Sequence, residues 1–135
     1  MSVYKFTNPH PRGLKTNDCV VRAMSLAFNE DYLETRRKLN EYKRFLNLDS
    51  YKSNSFIYQY LEIYERLIIP PIKGRPRMRA ADFVETYGDG TYIVKMAKHL
   101  ACIKDGKLLD TWDSGDKAIY TAWRLTMLSQ VKNNN

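Results

Sequence analysis

From Thr91 onward the hydrophobic pattern changes from helical spacing to alternation, and that switch restricts the fold to helices followed by a sheet. β-branched and aromatic residues gather in Tyr92-Ile93-Val94-Lys95 and again from Lys98 to Ile103. Asp105-Gly106 divides Ile103-Lys104 from Lys107-Leu108-Leu109, a strong two-residue hairpin signal. Pairing about that turn sets Lys104 opposite Lys107, Ala101 opposite Asp110 and His99 opposite Trp112. His99 and Asp110 then lie diagonally on one face, about 7–8 Å apart at the backbone and closer at the side-chain tips. Ile119, Thr121, Trp123 and Leu125 alternate in a last strand over residues 118–125.

Upstream, apolar residues cover most of the circumference of a helix from about Asp18 to Phe28, the mark of a helix in the middle of a core. Asp31-Tyr32-Leu33-Glu34 has capping-box spacing and opens a second helix to about Leu46, with Leu33, Leu39, Tyr42, Phe45 and Leu46 facing inward. Phe56, Ile57, Tyr60, Leu61, Tyr64 and Leu67 predict a third helix from Asn54 to Leu67, ended by Pro70-Pro71. A short fourth helix follows between Met78 and Tyr87. With 135 residues the chain makes one α+β domain, with its core in 14–125, an irregular arm over 1–13 and a frayed tail over 129–135. No run of about 18 apolar residues and no basic-then-apolar leader stands in it, so the expectation is a cytoplasmic protein without a membrane partner.

Chemistry concentrates at Cys19, where the polar stretch Thr16-Asn17-Asp18 gives way to the first helix. The nucleophile is the thiolate, and an ordinary cysteine ionises near pH 8.5, so the environment must favour S⁻. Free N–H groups at a helix start and a neighbouring imidazolium both do so. Asn17 or Asp18 suits the N-cap, and the Asp18 carboxylate must turn away from the sulfur or it would oppose ionisation. Cys102 lies in the apolar stretch Leu100-Ala101-Cys102-Ile103 and reads as strand packing. His99 supplies the base, and Asp110 is favoured over Asp113 as the carboxylate that orients it. With two cysteines, two histidines and no paired-cysteine spacing, neither a metal site nor a cofactor is expected.

The net charge of +7 and the ten tyrosines raise the question of nucleic acid. Lys73, Arg75, Arg77 and Arg79 alternate with Gly74, Pro76 and Met78, so an extended backbone would put all four cations on one side. Such a strip could bind phosphates or an acidic host protein. A solvated loop is the favoured reading, and the tyrosines at helical spacing read as a packing face rather than a surface for bases.

Asp18-Cys19 at a helix start, Gly90-Thr91-Tyr92-Ile93-Val94, His99-Leu100, Asp105-Gly106-Lys107 and Asp110-Thr111-Trp112-Asp113 together resemble the papain-like cysteine peptidase superfamily. The likeness covers about residues 14–125. It is nearest to small phage or bacterial members and is similar to the bacteriocin-processing peptidase domains of exporters. The resemblance implies a helix-mounted cysteine packed on an antiparallel sheet that carries the histidine and its carboxylate. It also implies a peptide or protein substrate, and a cysteine hydrolase or acyl transferase acting on a peptide, isopeptide or related amide or thioester bond. The chain departs from the family at the oxyanion hole, since no glutamine precedes Cys19. The Cys19 N–H with the Asn17 side chain is the best substitute, ahead of Thr16 and Lys15. The alternative is a weak or inactive module that binds a partner through the basic strip.

Overall fold

The computed structural model describes residues 2–125. Its helices are α1 (Cys19–Phe28), α2 (Tyr32–Phe45), α3 (Asn54–Tyr60) and α4 (Ala80–Tyr87). Its strands are β1 (Tyr4–Phe6), β2 (Glu65–Ile68), β3 (Thr91–Met96), β4 (His99–Lys104), β5 (Lys107–Asp110) and β6 (Ile119–Arg124). The fold is α+β, as the change of period predicts. The strands form one sheet in the order β1-β5-β4-β3-β6-β2, with every neighbouring pair antiparallel except β1 and β5.

The sheet is covered on both faces, which is why β3 and β4 are apolar almost without interruption. Ile93, Leu100, Cys102 and Trp123 pack against Val20, Val21, Met24 and Leu39 of α1 and α2 and Phe56 and Ile57 of α3. Alternate residues, Tyr92, Val94, Met96, Ala101, Ile103 and Leu108, pack with Ala80 and Phe83 of α4 on the other face. Burying a side chain of this size stabilises by about 1.5–3 kcal/mol, so the two layers fix α1 on the sheet.

The hairpin has the expected register, with Lys104 opposite Lys107, Ile103 opposite Leu108 and Cys102 opposite Leu109. Asp105 and Gly106 both have positive φ, at 46° and 81°, as a turn matching strand twist requires. Helix α2 starts where expected, with the Asp31 carboxylate accepting from the Glu34 N–H at 3.0 Å.

Three expectations need correction, and the basic strip follows its favoured reading. The third helix stops at Tyr60, and Glu65–Ile68 forms edge strand β2 against β6. Within 1–13, Tyr4–Phe6 is a strand paired with β5 rather than part of an irregular arm. Leu33 and Phe45 of α2 are exposed, and its buried stripe runs through Tyr32, Thr35 and Leu39. The basic strip is a loop, as favoured, and not an extended strand: the Arg75 N–H bonds the Ile72 carbonyl at 3.1 Å, closing a turn over Lys73 and Gly74, where φ is 73° at the glycine. Arg77 is moreover committed inward, donating to the Ile69 carbonyl and lying over the Tyr120 ring at 4.7 Å. The tail over 129–135 lies outside the described residues. Among the described residues no helix is long and apolar enough to cross a membrane.

Candidate active site

Cys19 is the first residue of α1, so its own N–H and those of the next two residues have no acceptor within the helix; the first helical bond from the cap is Arg22 N–H to the Asp18 carbonyl, 3.0 Å. His99 is the first residue of β4 and Asp110 the last of β5, and their hairpin pairing brings both to one end of the sheet. There the His99 Nε2 and Asp110 Oδ2 are 2.7 Å apart, with both side chains buried. That bond leaves Nδ1 as the ring nitrogen available to a second partner; Cys19 and His99 line one cavity, and each shifts the other's pKa. The Trp112 ring lies against the imidazole, with centroids 4.9 Å apart, and shields the bond to Asp110.

Each ionisable group responds to this arrangement. Burial of Cys19 opposes the thiolate. It is outweighed by the hydrogen bond with His99, the Leu100 N–H and the charges of His99 and Arg22, so the Cys19 pKa falls below its ordinary value. For His99, burial favours the neutral ring, but its bonds to Asp110 and Cys19 win and raise the pKa to about 9. Burial also works against the Asp110 carboxylate, while His99, Ser114 and the Thr111 N–H hold its pKa below the usual value. These directions favour the thiolate–imidazolium pair over the neutral thiol and ring. Cys102 is the opposite case: fully buried in β4, it is pushed up to about 12 by desolvation.

Asp113 does not share in this network, and its carboxylate accepts from the Gly115 N–H at 3.0 Å. Asn17 lines the cavity beside Cys19, together with Lys52, Lys95 and Lys98. Its backbone carbonyl accepts from Lys52 Nζ at 2.8 Å, which ties the loop before α1 to the loop before α3. The Asp18 side chain caps no helical N–H; Arg22 binds Oδ1 and the Tyr32 hydroxyl binds Oδ2 at 2.5 Å. Of Lys73, Arg75, Arg77 and Arg79, none lines this cavity. Among the described residues no group of three or more His, Cys, Asp or Glu side chains is arranged to hold a metal ion.

Sequence reasoning missed two supporting residues and the role of a third. Arg22 is buried in α1 and donates one terminal nitrogen to Asp18 and the other to Asp110 Oδ1 at 3.3 Å. Its signal was present, since an arginine four residues after an aspartate on an apolar helix has a partner on its own face. Ser114 donates its hydroxyl to Asp110 Oδ2 at 2.7 Å. Trp112 was legible, because the hairpin register already set it opposite His99. No family model, curated protein or solved structure matches the chain.

Proposed function

We propose that the protein is a papain-like cysteine hydrolase or acyl transferase, in which Cys19 attacks the carbonyl of a peptide, isopeptide or related amide or thioester bond. The observation that carries this reading is the linked set Cys19, His99 and Asp110, assembled from a helix start and two hairpin strands with the thiol pKa lowered. The thiolate adds to the carbonyl carbon and the carbonyl π pair moves to oxygen. The Cys19 N–H and the Asn17 side chain donate to that oxyanion. The carbon–nitrogen bond then breaks as the imidazolium gives its proton to the departing amine, leaving a thioester and a neutral His99. Water, or an amine in the transferase case, gives a proton to His99 as it attacks the thioester, and the thiolate leaves to restore the starting pair.

Asp110 orients the ring and stabilises its charged form, while Arg22 and Ser114 hold Asp110. The partner-binding alternative keeps Lys73, Arg75 and Arg79 exposed, but the Lys73-Gly74 turn and the inward bond of Arg77 break up the single cationic face it would use.

The test has two readings on the full chain. Iodoacetamide at pH 6 is expected to label Cys19 more than about tenfold faster than Cys102, and His99→Ala to remove most of that advantage. An activated ester such as p-nitrophenyl acetate is expected to release a burst of one equivalent of nitrophenolate, absent in Cys19→Ala. Equal, slow labelling of both thiols without a burst would end the reading.

A further inference from the structure

The cavity that opens onto Cys19 has a volume of about 450 Å³ and an uneven charge. Three lysines, Lys52, Lys95 and Lys98, line it beside Cys19 and His99, and no aspartate or glutamate does. The two buried aspartates are already spent, Asp18 on Arg22 and Tyr32, and Asp110 on His99, Arg22, Ser114 and the Thr111 N–H. Among the described residues none of the three lysines forms an ion pair.

Two of the three lysines, Lys95 and Lys98, are held where they stand at some cost. Lys95 is half-buried on β3, and among the described residues its ammonium has only the Met96 carbonyl, at 2.9 Å, as a hydrogen-bond partner. Burial and the neighbouring Lys117 lower its pKa, whereas negative charge on Cys19 raises it. Lys98 occupies the two-residue turn between β3 and β4 with φ at 55°, a conformation that costs an L side chain about 1 kcal/mol and that glycine or asparagine would adopt more easily. Lys52 reaches from the loop before α3 to the Asn17 carbonyl. A single negative group in the cavity would answer the charge of all three.

We infer that the substrate carries an anionic group close to the scissile carbonyl, held by Lys52, Lys95 and Lys98 as the thiolate of Cys19 attacks. This rests on the thiolate reading above and adds the substrate class to it. Lysine ammonium groups act here as compact point charges, suited to a carboxylate of an acidic peptide or to a phosphate on an acyl carrier. The remaining lining, Val20, Ile57 and Leu100 with Ser53 and Asn54, leaves room for an apolar stem and a few neutral hydrogen bonds.

Charge-matched alkylation separates the two proposals. Cys19 in the full chain is reacted with iodoacetate and with iodoacetamide at low salt, and the rate ratio is compared with that of glutathione. The ratio is expected to exceed the glutathione value by about tenfold. It should also fall at least threefold, on the order expected from losing nearby charges, in Lys52→Met/Lys95→Met/Lys98→Met. If that variant does not fold, the exposed pair Lys52→Ala/Lys98→Ala is read by the same criterion. Fast iodoacetamide labelling with an ordinary ratio, or a high ratio that the lysine variants leave unchanged, overturns the anion site and leaves the nucleophile standing. Slow labelling by both reagents removes the nucleophile itself. Protection of Cys19 by glutarate or by inorganic phosphate then tells which anion the cavity prefers.

Discussion

At the residue scale the decisive group is Arg22, which stands at the meeting point of three elements. Its guanidinium joins Asp18 at the start of α1 to Asp110 at the end of β5, and Asp18 in turn accepts from Tyr32 on α2. Burying an arginine is costly, but two carboxylates buried beside it would cost more if left alone. Arg22→Gln is therefore expected to lose about 3–5 kcal/mol of stability in urea unfolding. A loss below about 1 kcal/mol would show that Asp18 and Asp110 are satisfied without it. Arg22→Lys retains the charge and lacks the planar fork, so it should recover only part of that loss.

At the element scale, what could be read from the chain depended on whether the determinants were local. The Asp105-Gly106 turn carries its conformation in its own residues, and from it the register, the His99–Asp110 bond and the place of Trp112 all follow. The Asp31 N-cap of α2 is local in the same way. Strand β2 is not: Glu65-Arg66-Leu67-Ile68 continues the helical spacing begun at Phe56, and only pairing with β6, Arg66 opposite Trp123, makes it a strand. Strand β1 has three residues, too few for a period, and exists because β5 offers it an edge. In the Lys73–Arg79 segment, alternation would mean one face only if no turn interrupted it, and Gly74 supplies one, which is why the loop reading is the better one. Gly106→Ala tests the hairpin. A Cβ there would meet only Val84 at an ordinary 3.7 Å, so any penalty comes from the 81° φ. The expected loss is about 1 kcal/mol in chemical denaturation, and a change under about 0.3 kcal/mol would mean the turn does not need glycine.

At the scale of the whole molecule, the site links folding to pH. His99 faces Asp110 from β5, Cys19 from α1 and the Trp112 ring, with Arg22 behind Asp110. Its pKa is raised to about 9 in the folded protein, against about 6.5 in an unfolded chain. The folded state thus holds the proton more tightly. The resulting stability is complete below about pH 6.5 and is lost as pH climbs through about 9, an amount on the order of 3 kcal/mol at the most. Asp110 has the opposite sign: its lowered pKa contributes stability above the usual carboxylate range, which disappears as the solution becomes more acidic. Both contributions coexist near neutrality, and the melting temperature should be highest there. Because the thiol is among the causes that raise the His99 pKa, the alkaline loss should begin at lower pH in Cys19→Ala than in the wild type. In His99→Gln the component of that loss due to the imidazole should be missing. Melting curves of the three proteins from pH 5 to pH 10 would decide it, since identical alkaline slopes would mean that His99 releases its proton equally readily folded or unfolded.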